Sequence, residues 1–275
     1  MLRTRLITAA IVLPALVFGV LKAEEQHFTL FLAVVAAIGV LELLLMYRAS
    51  RAMTAVAAAL GALCIMAYPR GMFGEALLLS MMVLGMLRMF TKPSPEGALR
   101  DMAPAMLGLL YVAGLLSYQL VLHKAHHGLV LYLLGTVWIS DASAYLVGTK
   151  FGRHRLYPSM SPKKTWEGAA ASMAGGVLGS FVLGSIFLGM GDRALLVFPE
   201  LLTAGLAMGA VAVMGDLFES MIKRDAGVKD SASFIPGHGG LLDKLDGPLF
   251  AGPVLVYILT AYGVIADSIT IKLPF

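Results

Sequence analysis

The sequence predicts an all-α, polytopic integral membrane protein with about nine transmembrane helices, on three observations. Hydrophobic residues make up 59% of the 275, with a mean hydropathy of +0.83, above the roughly 45–50% apolar share of soluble domains. Nine apolar runs are long enough to cross a hydrocarbon core about 30 Å thick, which takes roughly 20 helical residues. Of the 21 Lys and Arg, all but Lys22, Arg70, Lys124, Arg193 and Lys272 fall on one set of alternate connections, the asymmetry that marks cytoplasmic loops.

The runs lie at about 5–22, 28–47, 52–68, 73–90, 103–123, 128–148, 167–190, 194–215 and 247–266. The first follows Met-Leu-Arg-Thr-Arg, and no small-x-small pattern occurs around Leu21, Lys22 and Ala23; it reads as a retained helix, not a cleaved signal. The second carries Glu42, which either belongs to a site or reaches the inner interface near Arg48. The third holds the lone Cys64, which excludes an intrachain disulfide and reads as a small buried hydrophobe. After the fifth come His123, His126 and His127 without a neighbouring carboxylate; they read as solvated loop histidines on the outer side, not as metal ligands. The sixth carries Asp141, and an acid inside an apolar helix must pair or face water. In the seventh, Ala171, Gly175 and Gly179 repeat every fourth residue, which permits close helix contact either inside the chain or at a homodimer seam. The eighth closes on Gly215 and Asp216, and the ninth opens after Asp243 and Asp246. Residues 1–123 and 124–275 thus read as N-terminal helices and C-terminal helices of one membrane unit. The net charge of +4 and pI near 9.2 reflect the inward basic loops, which suit an anionic lipid surface and give no argument for nucleic acid.

With the N-terminus inside, two charged loops emerge on the same face. One, after the sixth run, holds Lys150, Arg153, Arg155, Lys163 and Lys164; the other, Ser220–Asp246, reads SMIKRDAGVKDSASFIPGHGGLLDKLD. A basic clamp and an acidic cluster can meet there. Asp216, Glu219, Ser220 and Lys223 are spaced to share one face of a continued helix. Asp216, Asp243 and Asp246 offer hard oxygen ligands of the kind Mg²⁺ takes, usually one or two carboxylates with water and substrate phosphates filling the rest. Gly237, Gly239 and Gly240 flank His238, and a glycine-rich turn lets backbone N–H groups approach an anion. With Lys223, Arg224, Lys229 and Lys244 nearby, the pattern points to a phosphate ester plus a metal at a membrane surface.

Ser220, Lys223, Arg224, Lys229, Asp230, Pro236, His238, Gly239, Gly240, Asp243 and Asp246, in this spacing, resemble the signature of the phosphatidate cytidylyltransferase, or CDP-diacylglycerol synthase, family. Ser161, Pro162, Lys163, Lys164, Thr165, Glu167 and Gly168 are similar to a second block of that family, and Asp141, Ala144, Tyr145 and Gly148 to the helix before it. The resemblance covers roughly residues 137–250. It implies that CTP and phosphatidate give CDP-diacylglycerol and pyrophosphate, with Mg²⁺ and room for a second, monovalent or divalent, cation. It implies Asp216 and Asp243 as metal ligands with Asp246 close behind them. Lys164, Lys223, Arg224 and Lys229 would bind triphosphate and lipid phosphate, and Asp141, Asp230 and His238 would line the pocket. Lys244 stands where the family usually has Arg, keeping the charge and losing the bidentate fork. The expected location is the inner membrane, multi-pass, with N-terminus and active site on the cytoplasmic side. Two other readings share parts of the pattern: a CTP-dependent enzyme acting on a prenyl or polyisoprenoid lipid, and a transporter of an anionic solute.

Overall fold

The computed structural model describes residue 14 and residues 17–189, 195–232 and 239–265. Its helices are α1 (Glu25–Met46), α2 (Arg51–Ala67), α3 (Phe73–Thr91), α4 (Ala98–Leu107), α5 (Tyr118–Ala125), α6 (His127–Phe151), α7 (Trp166–Phe187), α8 (Phe198–Asp225) and α9 (Leu242–Ala261). Residues 17–22 are helical ahead of α1. An antiparallel hairpin, β1 (Arg155–Tyr157) and β2 (Ser161–Thr165), sits between α6 and α7 with Arg155 opposite Thr165.

Seven stretches among the described residues are long and apolar enough to cross a bilayer: Glu25–Met46, Arg51–Arg70, Phe73–Thr91, Ala98–Ala125, His127–Phe151, Trp166–Phe187 and Phe198–Asp225. The first predicted run, 5–22, lies mostly outside the described residues. The last, 247–266, corresponds to α9, 20 residues that open on Asp243, Lys244 and Asp246 and contain Pro248 and Pro253, so it is not among the seven. Ala98–Ala125 is one span with an irregular middle. Pro104 lies inside α4, and Gly108–Gly114 are wound wider, with π-helical geometry. Proline has no N–H to give the preceding turn.

Two groups of helices result. α1 packs on α2 and α2 on α3, while α6, α7, α8 and α9 pack in succession, with α6 also touching α8 and α9. The groups meet where α5 and α1 touch α9, and where Tyr111, Phe218 and Phe250 cluster with ring centroids 5.0–6.2 Å apart. In a membrane interior, close backbone approach and polar cross-links replace the hydrophobic drive between helices. α7 and α8 cross on glycine: a Cβ on Gly176 would lie 2.3 Å from the Gly205 carbonyl oxygen. The Ser172 and Ser180 hydroxyls donate across that crossing to the carbonyls of Gly209 (2.9 Å) and Leu201 (2.6 Å). Gly175 and Gly179 instead abut Ser143, Ile139 and Thr136 of α6. The small-residue stripe is therefore an internal crossing.

Cross-chain contacts fix which loops share an end. The Tyr47 hydroxyl donates to Asp225 Oδ2 at 2.7 Å, and Arg224 Nε donates to the Met160 carbonyl at 3.3 Å. The loops after α1, α6 and α8 thus gather at one end. At the other end His123 Nε2 and His127 Nδ1 each lie 3.2 Å from a backbone carbonyl, those of Val20 and Leu21. The expectation of solvated histidines fails for His123, which is 1% exposed. Its ring is stacked between Phe28 (4.0 Å) and His127 (4.2 Å), so flat aromatic packing explains it.

Candidate active site

At the end where those loops gather, α6, β2, α7, α8 and α9 surround a cavity of about 310 Å³ whose charged lining is Asp141, Lys163, Lys164, Asp216, Asp243 and Asp246. Each element delivers its residue for a local reason. α8 does not stop at Asp216 but runs on to Asp225, so Asp216, Glu219, Ser220 and Lys223 do share a helical face. Gly215 brings α8 against α9: a Cβ there would sit 2.3 Å from the Asp246 carbonyl oxygen. That contact places Asp216 and Asp246, each next to a backbone that touches the other helix. The hairpin lays Lys164 across α8, its ammonium 2.8 Å from Asp216 Oδ2 and 3.3 Å from the Val213 carbonyl. The hairpin is anchored at both ends. Thr165 Oγ1 caps α7 by accepting from Gly168 N–H at 3.1 Å, and Glu167 holds His154 Nδ1 at 2.7 Å. Capping of this kind satisfies a helix-start donor that has no partner within the helix.

Asp243 is enclosed by donors. Oδ1 takes the Lys223 ammonium at 2.7 Å, and Oδ2 takes Gly240 N–H (2.8 Å), Ser231 Oγ (2.9 Å) and Ser231 N–H (3.2 Å). Burial alone raises this carboxyl, but the Lys223 ammonium and the Gly240 N–H outweigh it and hold it below the usual range. Gly240, read as part of an anion-binding turn, thus gives its N–H to a carboxylate of the chain itself. Lys223 is also 3.3 Å from Glu219, which is fully buried. Asp246 Oδ1 accepts from Gly247 N–H at 2.8 Å and lies within electrostatic reach of Asp216 and Asp141.

Of the residues singled out in sequence, Asp141, Lys164, Asp216, Asp243 and Asp246 line the cavity. Lys223 adjoins it through Asp243, and exposed Lys244 stands within electrostatic reach of Asp141. Arg224 is outside the lining and braces loops, donating to the carbonyls of Met160 and Val228. Lys229 and Asp230 are exposed, with no hydrogen bond or ion pair among the described residues. His238 lies outside the described residues, as do Pro236 and Gly237. Two residues stand outside the candidate set: Glu42, left open between a site and the inner interface, and Ser231. Glu42, fully buried in α1, accepts from Leu241 N–H (2.8 Å) and Leu242 N–H (2.9 Å), and Ser231 Oγ bridges it to Asp243. An acid inside an apolar run was the available signal for Glu42; Ser231 offered none.

The sequence profile described as the cytidylyltransferase family matches residues 3–262. The chain belongs to the cytidylyltransferase family. A phosphatidate cytidylyltransferase of Pseudomonas aeruginosa is 32% identical to this chain over 96% of its length and 98% of the relative's. Proteins of the same name from Haemophilus influenzae and Thermotoga maritima are 42% and 34% identical, over 54% and 60% of the chain. Those two alignments span 52% and 62% of the relatives' own lengths.

The donor set of the cavity bears on whether a magnesium ion fits there. Among the described residues no three His, Cys, Asp or Glu side chains are gathered as a ready metal cage. Carboxylates on the rim of one open cavity do fit a hard cation that takes one or two protein oxygens and completes its shell with water and phosphate. Asp216 and Asp243 each hold a lysine ammonium, so positive charge already sits at both.

Proposed function

We propose that this cytidylyltransferase transfers the cytidylyl group of CTP to phosphatidate, giving CDP-diacylglycerol and pyrophosphate for phospholipid synthesis. A phosphatidate oxygen attacks the α-phosphorus of CTP, the new P–O bond forms, and the α–β bridge oxygen leaves with pyrophosphate. The lipid phosphate is an anion near neutral pH and needs no strong general base. The protein's task is then to hold two polyanions in line and to neutralise them.

The single observation that carries this reading is the cavity itself: acids from three helices and two adjacent lysines on a hairpin, at the end of a membrane bundle. Lys163 and Lys164 face the cavity and Lys223 stands behind Asp243, which suits a triphosphate meeting a lipid phosphate. Asp216 and Asp243 would hold Mg²⁺, with Asp246 next to them. Bound there, the ion would neutralise charge on the phosphates. Arg224 and Lys229, outside the lining, suit the approach of CTP, and Lys244 suits a phosphate near Asp141. We place the protein in the inner membrane with the site and N-terminus on the cytoplasmic side, because most Lys and Arg lie on those connections and CTP is a solute of that compartment.

The purified protein is expected to release pyrophosphate only when CTP, phosphatidate and Mg²⁺ are all present, with labelled cytidine appearing in lipid. Turnover with a polyisoprenoid acceptor but not with phosphatidate would overturn the substrate assignment. Substrate counterflow in sealed vesicles without turnover would overturn the enzymatic one.

A further inference from the structure

A second cavity, of about 400 Å³, opens at the same end of the molecule in the N-terminal helices, and shares no lining residue with the first. Its charged lining is Arg48, Arg88, Lys92 and Arg100 against the single carboxylate of Asp101. Arg88 is the wall. It is 5% exposed, with Nε 2.7 Å from Asp101 and the rest of its guanidinium on the carbonyls of Lys92, Ser94 and Glu96. Lys92 adds a second contact to Asp101 at 2.9 Å. Arg48 and Arg100 have no hydrogen bond or ion pair from their side chains among the described residues.

Topology signalling accounts for basic residues at this end of the molecule, but two further features exceed it. Arg48 is the one described non-glycine residue with positive φ, at +53°, a backbone region that ordinarily favours glycine or asparagine. The chain holds an arginine in that strained conformation at the rim of the cavity. Beside the cavity the surface turns apolar: Met86, Met89, Phe90 and Leu99 are all more than half exposed, on helices that face outward. A charged head group and its acyl chains would thus find matching surfaces side by side.

We infer that this cavity is a second binding site, for the phosphate of an anionic phospholipid head group, with Arg48 and Arg100 as its free donors. Tyr47 lines it and also donates to Asp225 at the end of α8, two residues beyond Lys223. Occupancy can therefore be felt at the catalytic loop. The site would couple turnover to the lipid composition of the surrounding membrane.

The test uses the full-length protein in neutral detergent, titrated with phosphatidylglycerol, which lacks the phosphomonoester of phosphatidate; bound lipid is counted by native mass spectrometry. Arg48→Ala/Arg100→Ala is expected to weaken binding roughly tenfold to thirtyfold, given the usual contribution of a cation near an anionic lipid surface. Turnover without added phosphatidylglycerol should stay within about twofold. Arg51→Ala/Lys150→Ala removes the same charge from the same end outside the cavity, and an equal loss in it would overturn the inference. Unchanged binding in the cavity variant would do the same, with Arg100→Gln as the milder form should the double variant misfold. Displacement of the lipid by low-millimolar inorganic phosphate would keep the phosphate site but reassign its ligand to a solute.

Discussion

In the candidate cavity Asp216, Asp243 and Asp246 each already have a cation or donor beside them, and this decides which substitution reports on chemistry. Asp243 is tied by four contacts to Lys223, Ser231 and Gly240, so changing it disturbs a loop as well as a charge. Asp216 is cleaner. Its side chain is 41% exposed and held by Lys164 and, at 3.3 Å, by the Ser220 hydroxyl. Asp216→Asn keeps the volume and the Ser220 contact while removing the charge. Pyrophosphate release is expected to fall roughly 10²–10³-fold, the usual loss when one electrostatic partner of a transition state is removed. Asp225→Asn is the matched control nine residues along the same helix. An amide oxygen can still accept from Tyr47, and the rate should change by less than about twofold. Near-normal turnover in Asp216→Asn, with insertion verified by size exclusion in detergent, would remove Asp216 from the site.

At the scale of elements, the site depends on how closely α8 and α9 approach. Gly215→Ala places a methyl 2.3 Å from the Asp246 carbonyl oxygen, a backbone atom that cannot swing aside. The helices must separate, and overpacking of this kind costs about 1–3 kcal/mol. Misplacement by about 1 Å at a reacting centre can lose roughly 10²-fold in rate. Turnover is therefore expected to fall far more than the helical circular dichroism. Gly252→Ala, also in α9, meets nothing nearer than 3.7 Å and should be nearly silent; equal losses in the two would refute the close-approach account. The sequence shows why such contacts were only half legible. Apolar length betrayed the spans, and the spacing of Asp216, Glu219, Ser220 and Lys223 betrayed the continuation of α8 beyond its apolar run. The hairpin at Arg155–Thr165 has no alternating pattern to announce it, and Lys164 was noticed for its charge alone. Nor could spacing show that Arg224 points at the Met160 and Val228 carbonyls while Lys223 turns inward to Asp243.

For the whole molecule the question is why the N-terminal helices are needed when the residues read as catalytic come from 137–250. Glu42 supplies a physical answer. Its carboxylate, fully buried in α1, binds the backbone N–H groups of Leu241 and Leu242 at the start of α9, and Ser231 extends the chain of contacts to Asp243. An anion at a helix N-terminus is favoured by both the free N–H groups and the helix dipole. Removing one acceptor from buried donors costs about 1–3 kcal/mol for each left unsatisfied. Glu42→Gln keeps the shape, but its amide nitrogen must face an N–H that previously met an oxygen. The start of α9 then loses its fixed position, and Asp243, Lys244 and Asp246 move with it, while α6, α7, α8 and the hairpin stay in place. The expected signature is a kcat lowered roughly tenfold and a higher Mg²⁺ requirement, with KM for CTP within about threefold because Lys163 and Lys164 are undisturbed. Ser231→Ala, which removes the shared hydroxyl and leaves both N–H contacts to Glu42, should give a weaker version of the same split. A Glu42→Gln protein that melts earlier yet keeps its kcat and Mg²⁺ dependence would show that α1 merely supports the bundle and takes no part in placing the acids.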